Sequence, residues 1–186
     1  MDYSLKGKKA VVCGASSGIG FGAAIKLASE GSDVIIVSRS EENLLKAKKK
    51  IKDVTGHEAH SFACDISISS EIEKLISYIK EKFGSADILV NNVGGPEPMA
   101  FLKVTDETWF RYFETLFMSV VRLTRSFVPL MREGSSIVNI LSFPSKTRPL
   151  KYLSAETMKL SRLTRFKDYR LPPRTCSFIL AARRWI

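Results

Sequence analysis

Seven residues, Gly14-Ala15-Ser16-Ser17-Gly18-Ile19-Gly20, have the types and spacing to hold a phosphate chain. They end a short apolar run and open a segment of helical periodicity. In that setting Gly14 can make a tight turn and Gly18 lets the backbone approach a ligand. Gly20 removes a side chain where the helix meets the sheet. A pyrophosphate would then lie on helix N–H groups at the positive end of the helix dipole. The spacing is G-x-x-x-G-x-G, not the G-x-G-x-x-G of the general dinucleotide fingerprint, and a glycine trio alone would be an ordinary turn. The strand before it and the helix after it favour the phosphate reading.

Two other clusters invite chemistry and are read more plainly. His57-Glu58-Ala59-His60 suggests a metal, but the zincin pattern needs histidines four apart on a helix. These are three apart and enter a strand, so surface residues and no metal are expected. Lys46, Lys48, Lys49, Lys50 and Lys52 read as the solvated face of a helix.

The elements that must position the glycine segment alternate. Strands are expected over residues 8–14, 33–38, 58–64, 86–91 and 136–142. Helices are expected over 18–30, with Ile19, Ala23 and Leu27 on one face, and over 41–53. Another opens at a Ser70/Glu73 capping box and carries Ile72, Leu75, Ile76 and Ile79. A long helix over 106–131 carries Trp109, Phe113, Phe117 and Val120, and a shorter one runs from about Tyr152. Phe110, Phe113 and Phe117 are read as core or as a contact between subunits. Gly31 falls where a left-handed helix cap belongs. The alternation predicts an α/β fold, a Rossmann-type doubly wound parallel sheet with helices on both faces. In such sheets ligands bind beyond the carboxyl ends of the strands, at the switch point of strand order.

Composition agrees with a globular chain. The 186 residues are 45% hydrophobic and 26% charged, which suits one domain and excludes intrinsic disorder. Only 11 Gly and 7 Pro exclude a collagen-like chain. No apolar run approaches the roughly 18 residues of a membrane span, and the N-terminus lacks the apolar stretch of a secretory signal. Cys13, Cys64 and Cys176 are odd in number and lack metal-ligand spacing, which points to a reducing cytoplasm. The net charge of +10 is uneven: residues 1–145 hold 18 basic and 17 acidic side chains, whereas 146–186 hold 11 and 2.

The glycine segment, with Cys13 where threonine is usual, resembles the T-G-x-x-x-G-I-G of the short-chain dehydrogenase/reductase family. Cys64-Asp65-Ile66 is similar to that family's adenine-contacting Asp segment, and Asn91-Asn92-Val93-Gly94 to its N-N-A-G motif. The run from Ile137 to Ser142 resembles the strand ending in its catalytic serine. Residues 94–101 and 105–109 resemble members known as 3-oxoacyl-carrier-protein reductases or sugar dehydrogenases. The resemblance covers residues 6 to about 165. It implies cofactor contacts from Gly14, Ser16, Ser17, Gly18, Ile19, Gly20, Asp65, Ile66, Asn91, Val93 and Gly94. It also implies a homo-oligomer paired through helix 106–131.

Cofactor choice follows from charge. An acidic residue ending the second strand would bond the ribose 2′-OH of NAD. Here that position is Ser38, followed by Arg39, whose guanidinium can pair with a 2′-phosphate, so NADP(H) is expected. The plainer alternative is that Arg39 is a solvated loop cation.

The family's chemistry is hydride transfer at a carbon bearing oxygen. A tyrosine is the acid/base, a lysine four residues later lowers its pKa, a serine holds the substrate oxygen, and a helix asparagine completes a proton relay. Ser142 is present. One alignment puts Leu153 and Thr157 at the tyrosine and lysine positions; sliding by one gives Tyr152, but with Glu156 as the lysine. A rearranged site would use Tyr152 and Lys159, seven residues apart, or about 10 Å of helix rise. The asparagine position falls on Leu116.

Residues 166–186 match nothing in the family, whose last strands are not recognisable. This basic, Arg-rich segment reads as a divergent tail after a domain of residues 1–165, as a shifted reading frame would produce. Two function classes follow. One is an NADP(H)-dependent oxidoreductase acting on a 3-oxoacyl thioester or a sugar-like compound, its site impaired or reorganised. The other is a cofactor-binding or regulatory protein without turnover, its basic tail touching nucleic acid; no such partner, and no membrane, is expected for the first.

Overall fold

The computed structural model describes residues 3–140 apart from Pro96 and Pro98. Ser142, Tyr152, Lys159 and the expected boundary near residue 165 lie outside the described residues. Along the chain come β1 (Lys9–Cys13), α1 (Gly18–Ser29), β2 (Asp33–Ser38), α2 (Glu41–Thr55) and β3 (His60–Ala63). There follow α3 (Ser69–Phe83), β4 (Ala86–Asn91), α4 (Asp106–Phe113), α5 (Ser119–Phe127) and β5 (Met131–Asn139).

Successive strand residues point to opposite faces, and here both faces are apolar, as a sheet covered on both sides requires. Val11, Cys13, Ile35 and Val37 belong to one buried cluster with Ile72, Leu75 and Ile79 of α3 and Leu123 and Phe127 of α5. Ala10, Val12, Val34 and Ile36 belong to the other, with Ala24 and Ala28 of α1 and Leu44 and Ile51 of α2. The strands are parallel, in the order β3-β2-β1-β4-β5. The chain therefore builds outward from β1 to β3, then restarts on the other side of β1 with β4. The loops after β1 and β4 diverge at that switch point. The expected doubly wound α/β fold is the fold observed.

Local chemistry sets several boundaries. After α1, Gly31 adopts φ +82°; its N–H donates to Ala28 O (2.9 Å) and that of Ser32 to Leu27 O (3.1 Å), a Schellman closure. Gly56 and Gly84 end α2 and α3 in the same left-handed conformation. At the opposite edge of the sheet, Lys9 Nζ donates to the Phe83 carbonyl and to Ser85 Oγ (3.2 Å), meeting a free carbonyl at the end of α3.

Five expectations are corrected. The helix over 106–131 is not continuous: α4 and α5 are separated by a π-helical turn, Glu114–Met118, and a 3-10 turn at Val128–Leu130, containing Pro129, ends the segment. Strand β5 consequently begins at Met131 rather than 136, with a register break between Ala86↔Met131 and Ile88↔Ser136 and Gly134 at φ +81°. The Ser70/Glu73 capping box does not form, because α3 starts at Ser69 with Ile68 as its cap. The buried face of α1 is Gly20, Ala24 and Ala28, small residues that admit the helix close to the sheet, while Ile19 is 58% exposed. Of the two readings of the aromatic stripe, core fails for Phe110 and Phe113, which are 71% and 45% exposed, while Phe117 is half-buried; the buried face is Ser119, Leu123 and Phe127.

Candidate functional site

A cavity of about 730 Å³ opens at the carboxyl end of the sheet. Four chain segments form its walls: the glycine loop, the end of β2 with Arg39 and Ser40, residues 64–67 after β3, and residues 92–95 after β4. Arg111, Tyr112 and Thr115 close one side.

Each glycine of the loop has its own physical reason. Gly14 has φ +58°, and a Cβ there would stand 2.5 Å from Asn92 O and 2.7 Å from Asn92 Nδ2. A Cβ on Gly20 would collide with the Gly14 carbonyl and stand 2.8 Å from Asn92 Nδ2. These glycines let the α1 turn, β1 and the loop after β4 meet, and the Asn92 side-chain amide donates to Gly14 O (3.1 Å) across the junction. Gly18 is different: at φ +63° it has nothing within 4 Å of a Cβ position. It borders open cavity, where a ligand can approach the backbone. Ser17, the N-cap of α1, makes no side-chain cap bond, whereas Ser40 and Thr105 cap α2 and α4. The first N–H groups of α1 are thus left for a ligand.

The second wall carries charge. Ser38 Oγ is buried without a hydrogen-bond partner among the described residues. Arg39 beside it is exposed and makes no ion pair among them. Residues 64–67 are held against this wall, since Cys64 N donates to Ser38 O (2.8 Å). Asp65 Oδ1 accepts from Ser67 N (2.9 Å) and Ser67 Oγ (2.7 Å), which stiffens the turn. Ile66 lines the cavity next to it.

Ser16, Ser17, Gly18, Ile19, Arg39, Asp65, Ile66, Val93 and Gly94 line the cavity, as does Gly14. Gly20 and Asn91 do not; they stand behind it. Asn91 is 2% exposed and its Nδ2 donates to Asn139 Oδ1 on β5 (2.9 Å), so it joins two strands. Asn92 is the asparagine in the wall. Strand alternation implies that Asn91 and Asn92 point opposite ways, but not which of them meets the loop. Arg111, Tyr112 and Thr115 were not foreseen, because that helix was judged by its apolar side chains. Leu116, at the position the resemblance gives to an asparagine, lies within the π turn.

Burial raises the thiol pKa of both Cys13 and Cys64 from 9.0 to about 12. The two thiols therefore stay protonated and unreactive in the folded chain. Iodoacetamide at pH 8 is expected to leave Cys13 and Cys64 unlabelled until denaturant is added, as peptide mass mapping would show. The linkage has a definite sign. A raised folded-state pKa contributes stability below pH 9.0 that is lost as pH rises toward about 12. The His57–His60 cluster is dispersed: Glu58 pairs with Lys52, and the His60 ring packs edge-on against Phe83 at 5.0 Å. Burial, then Lys82 and Lys48, lowers the His60 pKa.

Residues 8–153 match the short chain dehydrogenase family. This chain belongs to that family. The short-chain dehydrogenase chain is 39% identical over 145 residues to the uncharacterized oxidoreductase YvrD of Bacillus subtilis, covering 76% of this chain and 54% of that protein. It is 38% identical over 141 residues to a Streptomyces coelicolor protein named "Putative ketoacyl reductase", covering 74% and 54%. Its fold is similar to L-sorbose reductase of Gluconobacter frateurii, solved with NADPH and L-sorbose, with a TM-score of 0.74 and 34% identity over 81% of this chain and 60% of that one. The chain spans about half the length of the curated relatives it matches. Short-chain dehydrogenases bind NAD(P), and the groups present fit such a ligand: the open space at Gly18, the uncapped start of α1 and the unpaired guanidinium of Arg39 border one cavity among the described residues. Among the described residues, no helix is long and apolar enough to cross a membrane.

Proposed function

We propose that this chain is an NADP(H)-dependent oxidoreductase that interconverts a carbonyl and an alcohol, with a 3-oxoacyl thioester or a sugar-like compound as substrate. The observation that carries the reading is the open cavity at Gly18, bounded on one side by the free N–H groups of α1 and on another by Ser38 and Arg39. Gly14, Ser16, Ser17, Gly18 and Ile19 would hold the pyrophosphate, and Arg39 a 2′-phosphate through charge-assisted hydrogen bonds. Asp65, Ile66, Val93 and Gly94 would line the remaining length, with Asn91 and Gly20 supporting from behind. When bound, the dinucleotide supplies or accepts a hydride. Ser142 would hold the substrate oxygen and Tyr152 would exchange a proton at its phenolic oxygen, ordinarily of pKa about 10. Lys159 would lower that value by its positive charge. The ketoacyl and sorbose reductases among the relatives support the two substrate classes, and the exposed Phe110 and Phe113 support pairing of two copies along residues 106–131.

The test is a fluorescence titration with NADPH and with NADH, followed by a panel of ketones. Arg39→Ala is expected to weaken NADPH by about tenfold to a hundredfold, about 1.4–2.7 kcal/mol, and leave NADH within about twofold. Equal losses for both would overturn the NADP(H) preference. A second reading, cofactor binding without turnover, is favoured by Leu116 at the relay position and by Leu153 and Thr157 in one alignment. Tight NADPH binding with no ketone reduced would select it.

A further inference from the structure

Arg122 is a connected cation beside the cavity that the proposed chemistry does not use. It projects from α5 with its side chain only 20% exposed, and its Nη1 donates to two acceptors. One is Glu114 Oε2 at 2.6 Å, and the other is the Ser67 backbone carbonyl at 3.3 Å. Glu114 opens the π turn, whose next residue, Thr115, lines the cavity. Ser67 belongs to the wall formed by residues 64–67 and is bonded through both its N–H and its hydroxyl to Asp65. A single guanidinium, 55 residues along the chain from Ser67, thus joins two walls of the cavity.

The end of the cavity concerned can be located. Residues 64–67 continue β3, whose Ala63 is in register with Ser38, and Cys64 N donates to Ser38 O. The wall formed by residues 64–67 therefore flanks the Ser38–Arg39 end, where the proposed 2′-phosphate and its adenosine would lie. We propose that Arg122 is a positioning residue: by tying the loop at Ser67 to the π turn through Glu114, it holds in place the 64–67 loop that borders the adenosine end of the cavity. This rests on the dinucleotide reading above. A guanidinium suits the task, because its planar fork of donors serves a carboxylate and a carbonyl together. Glu114 supplies the charge that holds the guanidinium, and Ser67 relays its position to Asp65.

The experiment uses the full chain and the variants Arg122→Met, which keeps an apolar stem, and Arg122→Lys, which keeps the charge. Calorimetric titrations with NADPH, 2′,5′-ADP and nicotinamide mononucleotide separate the two halves of the site. Hydrogen exchange of the amides at 64–68, without ligand, reads the loop directly. For Arg122→Met, NADPH and 2′,5′-ADP are expected to bind about tenfold more weakly, about 1.4 kcal/mol. Nicotinamide mononucleotide should be unaffected, and exchange at 64–68 should quicken while the melting temperature holds. Arg122→Lys should recover part of both effects. Unchanged exchange at 64–68, or equal loss for both half-ligands with a lowered melting temperature, would overturn the proposal. If the parent chain binds no NADPH, the dinucleotide reading fails, and the exchange arm still decides whether Arg122 holds the loop.

Discussion

Gly20→Ala weakens NADPH binding by at least about a hundredfold, equivalent to about 2.7 kcal/mol, and destabilises the folded chain. The reason is the Cβ, which has no room between the Gly14 carbonyl and the Asn92 side-chain amide. Neither neighbour is the free end of a flexible side chain; one is backbone and the other donates to it. Overpacking at such a point, together with the lost Asn92–Gly14 bond, is expected to cost about 2–4 kcal/mol of stability. Fluorescence titration and urea unfolding check the two parts. Gly18→Ala makes the contrast. Its Cβ meets nothing within 4 Å, so the cost in the free chain is the strain of φ +63°, about 1 kcal/mol or more. Its main loss should be in binding, because the added methyl enters the space the ligand needs. If Gly20→Ala binds NADPH as the parent does, the junction of these loops does not shape the site.

Phe127→Ala is expected to cost about 3–5 kcal/mol, a large share of the roughly 5–15 kcal/mol that holds a domain folded. Phe127 is fully buried on α5 and shares a cluster with Leu123, Leu89 and Ile137. Removing its ring leaves a cavity between the helix and the centre of the sheet. Urea unfolding should show a lowered midpoint with an unchanged slope. Phe110→Ala, at an aromatic residue of the same helical region, should change stability by less than about 0.5 kcal/mol, because that ring is exposed. Similar losses for the two would mean that the exposed stripe is covered in solution, as pairing of two copies would cover it.

The glycine loop was legible because its chemistry is local. A strand end, a left-handed Gly14 and a helix start are consequences of seven consecutive residues, and each took the conformation expected. The order of strands and helices was legible too, since apolar runs bounded by glycines carry it. The buried face of α3 followed from period alone: Ile72, Leu75 and Ile79 are buried as spaced. The 106–131 segment misled, because apolar side chains there continue at helical spacing through a π turn and past a proline. A π turn shifts the register of every later residue, so Leu123 and Phe127 of α5 turn inward, whereas Phe110 and Phe113 of α4, which precede the turn, are exposed.

Sequence by itself determined the doubly wound sheet, the glycine loop at the end of β1 and the Ser38–Arg39 pair at the end of β2. Backbone conformation and strand alternation are nearest-neighbour properties, and they suffice for these. Only tertiary structure decided that Asn92 rather than Asn91 meets the loop, that Arg111 and Thr115 border the same cavity, and that Arg122 ties Ser67 to Glu114. Those contacts join segments as far as 78 residues apart. Their existence depends on how closely helix and sheet approach, a distance set by side-chain packing and written in no single stretch of the chain.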